Sequence, residues 1–375
     1  MIKLILKNIF FIFAFLISSS SFSQFTKLSE NAKISVLTIG LADSSESLYG
    51  HTAIRVNDSI NGIDLVFNYG MFDFRTEYFI LKFVKGDMKY FAISYPYRDF
   101  EAGYREENRS IYEQILNISS SEKQILYDKL NAVIYSDERF YTYKFIDRNC
   151  TTKVLDILND VLVNKPIIKK NIETRTYREV LFPFVKNHFF MKLGINIIFG
   201  TKVDEKATKI FLPFDLLDNL KNTKYKNQNL VSETKTIFDA KRKTDTSIFD
   251  SVYFLSLILL IFVLANKKQI TILYFLVFGS IGLLFSLIGL YSFHEEVLWN
   301  YNILLFNPML LVLVFFMFKN NTTWIKKIST FCLICIGIYG IYILNKVHFY
   351  IMVPMILSTS ILLFRNKNKL LSTIK

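Results

Sequence analysis

Cysteine is scarce in this chain. There are three in 375 residues, and Cys332 and Cys335 fall inside an apolar stretch, which leaves Cys150 alone in the region of mixed polarity before residue 248. Internal repeats, a Gly-rich phosphate loop and low-complexity tracts other than the serine run 18–21 are also missing, so nothing points to a nucleotide cofactor. No long apolar run occurs between 24 and 247, which is the pattern of one globular domain able to bury its own core.

Apolar residues are abundant elsewhere: half the chain is hydrophobic, more than a soluble chain of this size carries. Lys3 and Lys7 precede a short apolar run, and Ser21 and Ser23 have the spacing of a signal-peptidase site, so residues 1–23 read as a cleavable signal peptide. The alternative is an N-terminal anchor helix, against which the short run and its serine-rich end argue. No cysteine follows the cut, so the chain is not itself a lipoprotein. Residues 24–247 form the exported domain, and 248–375 an all-α transmembrane domain of five helices, at 249–265, 270–291, 303–318, 325–344 and 349–364.

Charge gives the orientation. With the domain exported, the inward connectors and tail carry Lys267, Lys268, Lys319, Lys326, Lys327, Arg365, Lys367 and Lys369, whereas the outward connectors carry Lys346 together with Glu295 and Glu296. Lys241, Arg242 and Lys243 run against this bias but end a long translocated domain, where the bias is weak. The expected location is therefore the inner (cytoplasmic) membrane, multi-pass, with the domain in the periplasm. The net charge of +13 suits anionic lipid head groups better than nucleic acid, which an exported domain seldom meets.

A lone thiol in an oxidising compartment is open to oxidation and mixed disulfides, so Cys150 is either a buried core residue or a nucleophile. It stands directly before Val154, Leu155, Ile157, Leu158, Val161 and Leu162, whose spacing is that of an amphipathic helix. The positive end of that helix favours the thiolate, and Asn149 or Asp147 is the candidate cap. The base comes from His51 or His188, the imidazoles of the exported domain. His51 opens a strand-like segment, Gly50 to Val56, that can project its ring into a cleft; His188, in an aromatic stretch, reads as a packing or lipid-surface residue. Asn68, in Asn-Tyr-Gly, either orients the imidazole or is a turn residue before Gly70.

A strand carrying His followed by a helix-opening Asn-Cys resembles the permuted NlpC-type papain-like fold. More specifically, the chain resembles the Lnb family of bacterial lipoprotein N-acyltransferases, in Gly50 to Val56, Phe67-Asn68-Tyr69-Gly70, Phe72-Asp73-Phe74 and Asn149-Cys150-Thr151-Thr152. Further matching pieces are Thr174 to Arg178, Gly194 to Gly200, Phe211-Leu212-Pro213 and the outward loop from His294 to Pro308. Lys153 stands where the family pattern has Arg, which keeps the charge but loses a bidentate clamp.

The resemblance implies an α+β papain-like exported domain, with antiparallel strands over about 33–93, helices over about 112–162 and an amphipathic helical segment over 164–222. It implies acyl transfer from a glycerophospholipid to the N-terminal amine of diacylglyceryl-cysteine lipoproteins. Cys150 would form a thioester, His51 would act as acid and base, Asn68 would complete the catalytic set, and the Cys150 backbone N–H would hold the oxyanion, with no cofactor and no metal. Tyr69, Arg55, His294 and Glu295 are the expected substrate-binding residues; the outward loop with His294, Glu295 and Glu296 would contact the head group or the lipoprotein amine, an interfacial cap being the alternative, and Trp299 and Tyr301 are expected to anchor that loop at the interface. Expected partners are the phospholipid donor, the diacylated lipoprotein acceptor and the membrane. Two other readings use the same residues: a membrane-tethered cysteine peptidase or amidase acting on cell-wall peptides, and a non-catalytic lipid-binding scaffold with Cys150 merely buried.

Overall fold

The computed structural model describes residues 26–44, 47–169, 174–241, 247–265 and 267–372, so the expected signal peptide at 1–23 lies outside the described residues, as do Arg242 and Lys243. Four strands come first, β1 (Lys33–Ile39), β2 (His51–Asp58), β3 (Ile63–Met71) and β4 (Lys89–Pro96), each antiparallel to the next. β5 (Ile111–Leu116) pairs with the free side of β1, β6 (Phe140–Thr142) with β4, and β9 (Val231–Phe238) with β5. The resulting sheet has the order β6-β4-β3-β2-β1-β5-β9; β7 (Lys224–Tyr225) and β8 (Gln228–Asn229) form a separate small hairpin.

Residues 111–116 are thus a strand, where helix was expected from about 112. The reason is the second edge of β1: its backbone groups need partners, and Ile111 completes the apolar patch made with Leu37 and Ile39. Alternation along the strands then loads both faces. Ile34, Val36, Ile54, Val56, Phe67 and Tyr69 share a core with α3 (Ser120–Ile134) and α4 (Cys150–Val161). Leu37, Ile39, Ala53 and Val66 pack on the other face against Tyr97 and Phe100 of α2 (Tyr97–Glu106). Between β3 and β4 sits α1 (Phe79–Lys85), which buries none of its residues.

The 164–222 segment is a series of short helices: α5 (Tyr177–Leu181), α6 (Phe189–Ile198) and α7 (Pro213–Asn222), interrupted by 3₁₀ turns at Phe182–Val185 and Lys202–Asp204. Leu193 of α6 joins the core of the helical domain, whereas Leu216 and Leu220 of α7 return to the core under the sheet. The helical domain comprises α8 (Val252–Leu264), α9 (Lys268–Tyr291), α10 (Met309–Phe318), α11 (Thr322–Ile343) and α12 (Phe349–Ser372). Among the described residues four segments are long and apolar enough to cross a membrane: Lys268–Tyr291, Glu295–Phe318, Thr322–Ile343 and Phe349–Asn368. α8, at the first expected span, is a shorter apolar helix of 13 residues. Close packing holds the bundle together. A Cβ at Gly282 would lie 1.7 Å from the Phe306 carbonyl oxygen, so α9 meets the start of α10 backbone to backbone.

A buried polar junction ties the two domains. The Arg178 guanidinium donates to Asp204 Oδ1 at 2.7 Å, to Asn196 Oδ1 at 2.8 Å and to the Tyr301 hydroxyl at 3.0 Å. Tyr301 donates to Asp204 Oδ2 at 2.8 Å, and Lys346 donates to the same oxygen at 2.9 Å. The connectors that carry Tyr301 and Lys346 therefore both grip the segment that follows α5.

Candidate active site

Cys150 opens α4 as its first residue. Asn149 is the cap, in a reciprocal pair: the Thr152 N–H donates to Asn149 Oδ1 at 3.0 Å and the Asn149 N–H donates to Thr152 Oγ1 at 2.9 Å. The Asn149 amide also donates to the Phe145 carbonyl at 2.7 Å and the Phe211 carbonyl at 2.9 Å, which pins the loop before the thiol. Asp147 has another role, pairing with Lys209.

His51 begins β2, and Asn68 lies on β3 opposite Ala53, so the two strands bring the side chains together. His51 Nε2 is 2.5 Å from Asn68 Oδ1. That bond makes Nε2 the donor and leaves Nδ1 for the thiol. Asn68 is therefore a strand residue rather than a turn residue, and it is itself held by donating to the Tyr95 hydroxyl at 3.1 Å. Gly70 creates the room. It sits at a bulge between Tyr69 and Met71 with φ +105°, and a Cβ there would be 3.7 Å from both Cys150 Cβ and His51 Cε1.

Burial alone pushes the Cys150 thiol up and the His51 imidazole down. The attraction and hydrogen bond between them outweigh it, helped by Asn68 on the ring and by the Thr52 backbone N–H and Thr151 hydroxyl on the sulfur. The thiol ends below its ordinary value and the imidazole above it, although the Arg109 charge opposes the second shift. A thiolate–imidazolium pair is favoured, which is the nucleophilic form of cysteine with its acid in place.

The other expected residues are distributed differently. Tyr69 is fully buried behind the site, with Lys153 Nζ 5.9 Å from its ring and 5.4 Å from that of Tyr141. Arg55 lies four residues along β2 from His51, about 13 Å at the strand rise. Its guanidinium is committed to Asp64 at 2.8 and 2.9 Å and to Glu113 at 3.2 Å, stacked 3.3 Å over Tyr97, so it clamps the sheet instead of reaching the thiol. His294 bonds through Nε2 to the Phe83 carbonyl at 3.0 Å, fastening α1 to the outward loop. Glu295 is exposed, with Lys202 at 3.9 Å. His188 precedes α6 and faces Asp43 at 3.1 Å. Of the two loop aromatics, Trp299 is exposed, whereas Tyr301 is drawn into the Arg178 junction because its hydroxyl is needed there.

Two contributors escaped the sequence reading. Tyr95 comes from β4 with no motif to announce it. Arg109, buried beneath the site, donates to the Gly40 carbonyl at 2.9 Å and lies 4.8 Å over the Tyr104 ring. Glu296, expected with His294 and Glu295 to contact a head group or amine, is instead buried and accepts from the Ile146 N–H at 3.0 Å. No group of three or more His, Cys, Asp or Glu side chains is placed to hold a metal ion among the described residues.

Residues 21–182 match the family model described as the Lnb N-terminal periplasmic domain, a span that contains Cys150, His51 and Asn68. No curated protein and no solved structure matched.

Proposed function

With an Lnb-type exported domain as the premise, we propose that this chain is a cysteine-dependent lipoprotein N-acyltransferase of the cell envelope. The observation that carries the reading is the Cys150–His51–Asn68 arrangement, joined through a buried junction to helices able to cross a membrane. The fold reading that accompanies it is papain-like of the permuted NlpC type, supported by a His-bearing strand that precedes the nucleophile helix. α8 crosses as a fifth span by borrowing flanking residues, and the chain sits multi-pass in the inner membrane with Cys150 on the periplasmic side.

In the first half-reaction the Cys150 thiolate attacks an ester carbonyl of a glycerophospholipid. The C–S bond forms, the ester C–O bond breaks, and the imidazolium of His51 gives its proton to the departing lysophospholipid oxygen. In the second, the N-terminal amine of a diacylglyceryl-cysteine attacks the thioester, the C–S bond breaks, and His51 takes the amine proton while the thiolate returns. Backbone N–H groups at the start of α4 face the developing oxyanion. Both substrates are lipids that leave a bilayer at a cost of about 0.8 kcal/mol per CH₂, which is the reason to build the thiol domain onto a membrane domain.

The test is mass spectrometry of a reporter lipoprotein's N-terminal peptide, from cells lacking this protein and complemented with wild type, Cys150→Ala or His51→Ala. Restoration of the amide-linked acyl chain by wild type alone is the expected result. An acylation state that never changes overturns the reading and favours hydrolysis of cell-wall peptides.

A further inference from the structure

α1 and the turn before it present a surface that the chain does not cover. Ile80 and Leu81 are 73% and 58% exposed, and Phe74, Tyr78 and Phe83 are exposed beside them. For a seven-residue helix with no buried side chain this is a poor bargain in water, since each large apolar group left wet forgoes its transfer free energy.

The position of α1 tells what covers it. Its C-terminal carbonyls are bonded to the outward end of α9: the Phe293 N–H donates to the Lys85 carbonyl at 2.6 Å, the Ser292 hydroxyl to the Val84 carbonyl at 2.7 Å, and His294 meets the Phe83 carbonyl at 3.0 Å. Gly86 is needed for this approach. Its φ is +77°, and a Cβ there would lie 2.8 Å from the His294 ring. α9 is one of the apolar segments long enough to cross a bilayer and ends at Tyr291, so α1 is fixed level with the end of that segment. Leu290 and Phe293 at the joint are exposed too, continuing the apolar surface of α9 without a break. Lys82 and Lys85 occupy the last turn, where their stems can lie along apolar surface with the ammonium groups at head-group level.

We propose that residues 72–85 form a strap that dips into the periplasm-facing leaflet and is covered by phospholipid acyl chains. Aromatic contacts lead from this strap back to the site. Phe74 packs on Phe79 at 5.1 Å and on Phe72 at 4.8 Å, Phe72 on Tyr90 at 5.1 Å, and Tyr90 on Tyr141 at 6.3 Å, whose hydroxyl is 4.0 Å from the Cβ position of Gly70 beside Cys150. The strap begins two residues after Gly70, so it and the nucleophile meet at one strand end. The inference rests on the membrane orientation proposed above and does not depend on acyl transfer.

The experiment is tryptophan fluorescence of the full chain in nanodiscs, in a Trp299→Phe, Trp324→Phe background, comparing ordinary phospholipid with phospholipid brominated along its acyl chains. Leu81→Trp reports the strap, Leu284→Trp on α9 reports a span, and Ile125→Trp on α3 reports the aqueous part. Loss of most emission at positions 81 and 284 but not at 125 is the expected result. Quenching at 284 alone overturns the strap and leaves the orientation standing; emission at 81 that is blue-shifted but unquenched overturns it in favour of a protein cover such as a second copy. Absence of quenching at both 81 and 284 removes the membrane reading, and the strap with it.

Discussion

The buried carboxylate of Glu296, in the connector between α9 and α10, accepts a hydrogen bond from the backbone N–H of Ile146, four residues before Cys150. The same residue's carbonyl accepts from the Gly200 N–H at 2.8 Å. The loop that delivers the nucleophile is therefore braced by the helical domain. Replacing Glu296 by Ala strands the Ile146 donor, which costs about 1–3 kcal/mol, and loosens the approach to α4. Glu296→Ala is expected to lower the melting temperature and slow alkylation of Cys150 by iodoacetamide, whereas Glu296→Gln, which keeps the acceptor oxygen, should stay near wild type in both.

The thiolate–imidazolium pair sets a pH profile. Cys150 titrates below its ordinary value and His51 above its own, so alkylation of Cys150 should reach its plateau below the pH at which an ordinary thiol reacts. Acyl transfer should fall on the acid side as the thiol protonates and on the alkaline side as His51 loses the proton it donates. The signs for stability follow the same shifts. The depressed thiol contributes stability that is present above its unfolded value and lost as pH falls through the folded one; the raised imidazole contributes stability present below its unfolded value and lost as pH rises through the folded one. In His51→Ala the burial of the thiol is no longer opposed by a cation, so the alkylation midpoint should move upward; an unmoved midpoint would contradict the pairing.

Asn68 acts through the His51 ring. Without the 2.5 Å bond to Nε2 the imidazole loses its fixed tautomer and orientation, and Asn68→Ala should lower the acyl-transfer rate by about 10²-fold, the lower end of what general acid–base catalysis supplies. Asn68→Asp places a carboxylate against the same nitrogen and should displace the alkaline limb of the profile to higher pH. A rate loss without any change in the limb for the Asp variant would show a packing role only.

Arg178 is the most deeply placed charge of the domain junction. Arg178→Met leaves Asp204 with Lys346 and the Tyr301 hydroxyl, and removes the donors to Asn196 and Tyr301. Breaking a buried pair on one side costs about 3–5 kcal/mol, so thermal unfolding in detergent should shift down by several degrees, with limited proteolysis newly cutting between residues 182 and 205. The surface pair Arg98–Asp99 is the comparison: Arg98→Met should leave the melting temperature unchanged.

Much of the site was legible locally. A thiol just before a run of helical period, a capping Asn in front of it, and a His at the mouth of a strand are decided by neighbours within a few residues, so Cys150, Asn149 and His51 could be read directly from the order of residue types. Asn68 was legible as a residue type, but whether it turned the chain or held the imidazole depended on the pairing of β2 with β3. Arg55, expected at the substrate, shows the opposite case: four residues of strand set it about 13 Å from His51, with partners on β3 and β5.

What the amino-acid order by itself determined was the division into a mixed-polarity domain and an apolar helical one, the identity of the lone thiol before residue 248 and the run of strands expected over about 33–93, because composition and periodicity are local properties. Tertiary structure alone decided that 111–116 is a strand, that Tyr95 holds Asn68, that Glu296 rather than Glu295 reaches the nucleophile loop, and that α1 rests on the end of α9. Each of those depends on which distant backbone groups and buried charges still lack a partner once the local elements have formed, and that is settled only when the chain closes on itself.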